Sequence, residues 1–398
     1  MSDHDQQHLI AMPDGWSYWR SFALRSAGFP LAQLSAYAIT GEETAPSAPE
    51  YLERLARQLI ETAGHRRFRE ALTWQNPALL DTVLDPLIST PPGAWNKQHR
   101  RRALAIISYL QRYAAKNDTI GFFGPIEFGS IVDERCGLVL DRGAAIPTRS
   151  VTRFDYWAID ALAQQCSADR QLLLDVAPRL LPRYRLQGGK LLRSDGQSMT
   201  LPPAAAALLE RVDGRHSARA IADELAAAGL APGPGVVLRM VEELSARGIL
   251  DWALRVPVVD EPEQALRELL KALPVTAATR RALEVVTTWQ QALADIAAAA
   301  GDPDRLAPAI AACGELVTRS TGAEAVRYAG EVYAGRQPVY QDCRRGDEVA
   351  VGRDLLERLH GPLGLILASA RWYTWQIAQS MQELFQARFL AMAAEDRA

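Results

Sequence analysis

The sequence predicts an α+β chain of mixed helices and antiparallel strands, with an inserted winged helix-turn-helix-like module. Three observations carry this expectation. Segments at 47–72, 95–116, 258–312 and 353–394 show apolar residues at helical spacing or in Ala/Leu-rich runs. Between 124 and 154, short apolar runs (IEFGSIV, CGLVL, VTRF) alternate with turns, as strands do. Between 196 and 252 a short strand, three helices and a returning strand follow one another, the order of a small winged module.

Along the chain, residues 1–15 read as a loose tail. Residues 16–40 are aromatic and apolar, broken at Pro30. Tyr51, Leu52, Leu55, Leu59 and Ile60 give 47–72 one apolar face. Asn76-Pro77 opens a further helix, and Pro91-Pro92-Gly93 is a loop. In 95–116, Leu104, Ile107 and Leu110 line one side, and basic residues crowd the start, where they oppose the helix dipole. Residues 155–180 are helical. LPRYRLQ, Gly188-Gly189 and KLLR make a hairpin. In the module, a helix starts at Pro202-Pro203, Ser217 caps the second helix, and APGPG precedes the third. VYAGRQPVYQDCRR reads as strand–turn–strand, and GPLGLILASARWYTWQ as a dense apolar core.

The 398 residues suffice for two or three domains. With 48% apolar and 23% charged residues the composition is that of a soluble globular protein. A net charge of −3 argues against wholesale nucleic-acid binding, so any polyanion site has to be a local patch. No apolar run reaches the length of a membrane span. MSDHDQQHLI has neither the basic nor the apolar region of a signal peptide. Cys136, Cys166, Cys313 and Cys343 are scattered, which argues against a metal site and suits a reduced, cytoplasmic setting.

One local patch stands out. Lys97, Arg100, Arg101, Arg102, Arg112 and Lys116 fall within twenty positions without an acid. A Gly-rich aromatic turn follows, with Gly121, Gly124 and Gly129 around Phe122 and Phe123. Glycines of this kind let backbone approach a ligand closely, and the flanking cations suit phosphate.

Five pieces in order resemble the lantibiotic dehydratase family, in its N-terminal, aminoacyl-tRNA-using half. They are FALRSAGFP, QRYAAKNDTIGFFGP, TRFDYWAIDALA, VYQDCRR and GPLGLILASARW. The resemblance implies transfer of glutamate from glutamyl-tRNA, or of another amino acid from its tRNA, to Ser or Thr of a ribosomally made precursor peptide. It implies no cofactor beyond that co-substrate, and no covalent nucleophile. Carried over by position, Arg112 and Lys116 would hold tRNA phosphate from one helix face, four residues apart; the alternative is a solvated basic face. Thr119 would bond the terminal ribose or phosphate, or else form a turn. Asp155 would orient the aminoacyl ammonium or the attacking hydroxyl, or else cap a helix. Asp342, beside Arg344 and Arg345, would do the same, or form a local ion pair. Arg25 would be a phosphate ligand or a buried structural arginine. Arg100, Arg101, Arg102 and Arg344 would contact substrate more loosely.

The sequence departs from the family where Lys116-Asn117-Asp118-Thr119 replaces an Arg before the Thr, since Lys is a point charge and not a bidentate fork. It is also shorter than full-length relatives, which suggests a split subunit with a separate elimination partner, a truncated product or a degenerate copy. By this reading 16–180 begins the glutamylation domain, 256–398 continues it, and 181–255 interrupts it. That module resembles PqqD-like precursor-peptide recognition domains, which add a leader peptide to a sheet edge. DNA binding and a purely packing role are the alternatives; the third helix, VVLRMVEELSARG, balances two Arg with two Glu, which disfavours DNA.

Overall fold

The computed structural model describes residues 8–37, 48–117, 120–141, 149–327 and 337–395. In chain order the strands are β1 (Leu9–Ala11), β2 (Ser17–Trp19), β3 (Ser21–Arg25), β4 (Ile126–Val132), β5 (Leu138–Asp141), β6 (Arg149–Phe154), β7 (Arg179–Leu180), β8 (Tyr184–Gln187), β9 (Lys190–Arg193), β10 (Ser198–Thr200), β11 (Leu250–Asp251), β12 (Val339–Arg344) and β13 (Glu348–Gly352). The α-helices are α1 (Leu31–Ser35), α2 (Ala48–Gly64), α3 (Arg66–Gln75), α4 (Asp85–Ile88), α5 (Lys97–Ala115), α6 (Tyr156–Ala168), α7 (Arg170–Leu173), α8 (Pro203–Arg211), α9 (Ala218–Ala227), α10 (Pro234–Ala246), α11 (Pro262–Lys271), α12 (Ala277–Ala299), α13 (Pro303–Thr321) and α14 (Arg353–Glu395). The mixture is the expected α+β class. The chain divides into two compact units, one of 1–28, 115–150 and 343–398, the other of 29–114 and 151–342.

The first unit is organised by a four-stranded sheet in the order β3-β4-β13-β5. β3 and β4 run antiparallel, with Ser21 opposite Ser130 and Arg25 opposite Ile126. β13 lies parallel to β4 and antiparallel to β5. Along β4 the buried residues are Glu127, Gly129 and Ile131, the period of two that a strand with one covered face requires. Gly129 has no room for a side chain: a Cβ there would lie 2.5 Å from the Phe22 ring. Residues 9–19, whose first part was expected to be a loose tail, form an antiparallel hairpin of β1 and β2. Ile10 pins it down by burial against Ile131 and Leu356.

The stretch GPLGLILASARWYTWQ is not a core. It belongs to α14, and Leu365, Ile366, Trp372, Tyr373 and Trp375 are exposed. The first half of α14 meets the sheet and the N-terminal segment, where Tyr18 stacks on His360 and Arg371 lies 5.0 Å over Trp16.

The second unit is mostly helical. The expected single helix at 47–72 is two, α2 and α3, because Gly64 and an extended His65 (ψ 118°) interrupt it. α12 packs on α13, and α13 on α3 and α6. Trp289 is fully buried, tilted against Phe154, with its Nε1 donating to Ser320 Oγ. Phe29, Phe68 and Tyr113 form a second buried aromatic cluster. Helix ends are set locally: Thr276 and Thr279 form a reciprocal capping box for α12, and Gly322 closes α13 at φ 70°.

Within 179–251, β8, β9 and β10 make an antiparallel sheet in the order β10-β9-β8. Gly188 and Gly189 turn β8 into β9 with φ of 55° and 73°, the conformation a two-residue hairpin of this kind demands. Three helices follow, Ser217 capping α9 through Ala220 N, and β11 pairs back onto β7.

Candidate functional site

In the second unit, β6 delivers Arg153 and the adjoining Asp155, and β12 delivers Tyr340 and Asp342. Alternation along β12 buries Val339 and Gln341 and leaves Tyr340 and Asp342 on the more open face. Arg153, only 17% exposed, reaches Asp342 Oδ2 from Nε at 3.2 Å. It also donates from Nη1 to the Asp260 carbonyl at 2.9 Å, and the carboxylates of Asp260 and Glu261 lie within 4.0 Å. Burial pushes the Asp342 carboxyl above its ordinary value; Arg153 pulls it down and Asp260 pushes it up, and the net effect is a rise. The Tyr340 phenol is raised by burial first and then by Asp342, Asp155 and Asp260. Glu263, buried at the start of α11, is raised mainly by burial.

Asp155 occupies the position before α6 with an extended backbone, yet its side chain makes no capping bond. Its N–H donates to the Pro338 carbonyl at 2.9 Å. The capping alternative therefore fails for its carboxylate, which lies in the field of Tyr340. The local ion pair expected for Asp342 exists, but with Arg153 and not with Arg344 or Arg345. A cationic centre ringed by carboxylates, one of them made more basic by burial, can hold an ammonium group and exchange a proton with a hydroxyl. Among the described residues no three His, Cys, Asp or Glu converge to hold a metal ion.

In the first unit, Arg344 is committed to Glu127. Its Nε donates to Glu127 Oε1 at 2.8 Å and its Nη2 to the same oxygen, while Gly346 N donates to Oε2 at 2.7 Å. The guanidinium lies 5.1 Å over the Phe128 ring. Burial raises the Glu127 carboxyl, but Arg344 and the N–H groups of Phe128 and Gly346 outweigh it, and the group sits below its ordinary value. Arg25, at the end of β3, is exposed, which removes the buried structural alternative. The Gly-rich turn does bring backbone into close approach, but with the chain itself. Gly28 N donates to the Phe123 carbonyl, and a Cβ on Gly28 would lie 2.2 Å from the Phe122 carbonyl oxygen. Phe122 and Phe123 are buried edge-to-face.

The basic patch does not form one face. Arg112 is half-buried in the last turn of α5, where a cation suits the dipole, but α5 ends at Ala115, so Lys116 lies beyond the helix and the four-residue spacing is not a helical one. Thr119 lies outside the described residues. Asn96 caps α5 through the N–H groups of Gln98 and His99. Arg102 donates to the Thr82 carbonyl, Arg101 is exposed, and Arg100 borders an apolar groove of about 840 Å³ between α2 and α5. The residues that sequence reasoning missed are Arg153, Tyr340 and Asp260. Arg153 carried one signal, its place two before Asp155; Asp260 carried none.

The family described as lantibiotic dehydratase, N terminus, matches residues 64–393. No curated protein matches the chain. Among solved structures, the tRNA-dependent lantibiotic dehydratase MibB from Microbispora sp. 107891 superposes with a TM-score of 0.57 at 18% identity, over 86% of this chain and 30% of that one. The glutamylation domain TbtB from thiomuracin biosynthesis, bound to 5'-phosphodesmethylglutamycin, gives 0.55 at 17% identity, over 80% of this chain and 37% of that one. The same domain without that ligand gives 0.53 at 18%, over 77% and 35%. At such identities the likeness is one of fold, and this chain spans about a third of those chains. The match over 64–393 covers most of the sequence, and the chain is a member of the lantibiotic dehydratase family, in its N-terminal part.

Proposed function

We propose that the chain works in aminoacyl-tRNA-dependent modification of a ribosomally made precursor peptide, transferring glutamate from glutamyl-tRNA to a Ser or Thr hydroxyl. The observation that carries this reading is the Arg153–Asp342 pair with Asp155 and Tyr340 beside it. The peptide hydroxyl oxygen attacks the carbonyl carbon of the glutamyl ester. The bond from that carbon to the ribose oxygen breaks, and the hydroxyl proton passes to the departing ribose oxygen. Asp342, raised by burial, is suited to take that proton and return it. Asp155 faces the α-ammonium group of the glutamyl moiety. Arg25, Arg112, Lys116 and Thr119 are the proposed tRNA-end contacts, with Arg100 and Arg101 as looser ones; Arg102 and Arg344 are engaged within the protein. Glutamyl-tRNA is the co-substrate, no further cofactor enters the step, and the cytoplasm, where charged tRNA is held, is the setting.

The test is mass spectrometry of a precursor peptide incubated with this protein and glutamyl-tRNA, with and without a separate elimination subunit. Gain of one glutamyl residue, lost in Asp342→Asn, is expected; no gain from a folded protein would sink the reading.

A second reading, a non-catalytic leader-binding scaffold working with another subunit, draws on the exposed edge strand β10. Leu201 N and Gln197 O bond inward to β9, so alternation turns the N–H groups of Ser198 and Thr200 outward, as a template for a leader strand. Ser198→Pro should weaken leader binding roughly tenfold, an order of magnitude set by one lost backbone bond of about 1 kcal/mol and a blunted edge. Leader binding with no transfer in the wild type would favour the scaffold.

A further inference from the structure

In the second unit, α2 and α5 turn the same template of positions toward one pocket. Leu52, Leu55, Ala56 and Leu59 lie at i, i+3, i+4 and i+7 on α2. Arg100, Ala103, Leu104 and Ile107 repeat that spacing on α5. The turn at Pro92–Ala94, which packs on α2, borders the pocket together with Trp95. Trp95 is held in place, since its Nε1 donates to the Thr90 carbonyl at 3.0 Å and its ring stacks on His99. The space of about 840 Å³ falls within the roughly 300–1,000 Å³ of small-molecule sites. Leu52 and Leu104 stand 60% and 65% exposed in its walls, so filling it removes apolar surface from water.

The charge at one end states which ligand fits. Arg100 is exposed and has no side-chain partner among the described residues, and Lys97 lies one turn before it on the same side of α5. The one acid in the lining, Glu53, is already paired with Arg57. The pocket is thus apolar within and cationic at one end, which suits an apolar body carrying a single anionic group. A polypeptide fits poorly. The main walls are helices whose backbone groups bond to one another, so an extended chain would bury N–H and C=O groups without partners. A three-turn helix, 10–12 Å across, displaces on the order of 1,300 Å³ or more and would not enter. A hydrocarbon chain asks for no hydrogen bond.

We infer that this pocket binds a monomeric anionic amphiphile: a single acyl chain lying between the leucines of α2 and α5, its carboxylate paired with Arg100. Arg100 is also one of the looser tRNA contacts proposed above, so this ligand and tRNA compete for it. Binding is read directly, and the inference stands or falls apart from the transfer reaction.

Isothermal titration calorimetry of the whole chain with straight-chain carboxylates of eight, ten and twelve carbons, each below its micelle concentration, tests it. Kd should fall about fourfold for each added CH₂, the ~0.8 kcal/mol of one buried methylene. Arg100→Gln should weaken decanoate about tenfold, the order of one charge-assisted bond, and leave decanol unchanged. Leu104→Glu, at an exposed position and with the helical circular dichroism unchanged, should weaken decanoate more than tenfold, whereas Gln98→Glu, on the far side of α5, should not. Arg100→Gln decides the matter if the glutamate variant fails to fold. Binding that survives Leu104→Glu lies elsewhere and overturns the proposal, as does a Kd indifferent to chain length or to Arg100→Gln. Adherence to vesicles of phosphatidylcholine and phosphatidylglycerol, with no binding of the monomeric acids, hands the pocket to a membrane surface and overturns it too.

Discussion

Two arginine–carboxylate pairs, one in each unit, resolve their charges in opposite ways. Glu127 is buried, and Arg344 plus two backbone N–H groups more than compensate it, so its carboxyl is held below the ordinary range. Asp342 meets one guanidinium that it shares with Asp260 and Glu261, so burial wins and its carboxyl rises. The first arrangement resembles a structural clamp, where both carboxylate oxygens have donors, Oε1 from Arg344 and Phe128 N and Oε2 from Gly346 N. The second leaves a carboxyl that holds its proton more tightly than a free aspartate, which strengthens it as a base for a transferred proton. The difference lies in the donor inventory and not in the residue types, since both pairs are Arg with an acid.

The largest expected effect separates the two by activity. Asp342→Asn keeps shape and hydrogen bonding to Arg153 but cannot accept a proton, and should lower the transfer rate by about 10²–10⁴ with little change in Tm. A rate within threefold of wild type would reduce Asp342 to a structural partner. The next effect separates them by stability. Arg344→Ala leaves the buried Glu127 carboxylate with only two N–H donors and should destabilise the fold by about 1–2 kcal/mol, below the range for a fully buried pair because Arg344 is 42% exposed. The double variant with Glu127→Ala should recover part of that loss, since no lone carboxylate is left. Thermal unfolding of the four proteins closes the cycle, and strict additivity would mean the pair does not act as a unit.

How much of this was legible in the sequence depended on how local each feature is. The hairpin at Gly188-Gly189 and the cap at Ser217 are decided by neighbours in sequence, and both were read from it. The pairing of β13 with β4 joins strands more than 200 residues apart, and a parallel ladder leaves no local mark. The apolar run around Trp372 was misread because composition reports apolarity but not what covers it. The same limit acted at the site. Asp155 and Asp342 stood inside recognisable motifs, whereas the contact of Arg153 with Asp342 spans 189 positions. Arg344 looked available because Glu127, its partner, lies 217 positions away. Lys116 looked helical because nothing in KND marks the exact end of α5.

A smaller effect should appear in the pH profile of transfer. Arg153 lowers the Asp342 carboxyl against the rise from burial. Arg153→Gln removes that pull, so the carboxyl should rise further and the acid limb of the rate profile should move to higher pH. An unshifted limb with a uniformly lower rate would mean that Arg153 only fixes geometry.

The smallest effect sharpens the comparison through the acid dependence of stability, where the two pairs should have opposite signs. Glu127 has a folded value below its unfolded one of about 4.3, so it contributes stability above that pH and loses it as pH falls through the folded value. Asp342 has a folded value above its unfolded one of about 3.9, so the folded state holds its proton more tightly, and stability falls as pH rises through that window. Glu127→Gln should therefore flatten the acid decline of Tm, whereas Asp342→Asn should steepen it by removing the opposing contribution. Parallel Tm curves for the two variants between pH 3 and 6 would show that both carboxylates titrate alike, and the distinction between clamp and proton-transferring pair would collapse.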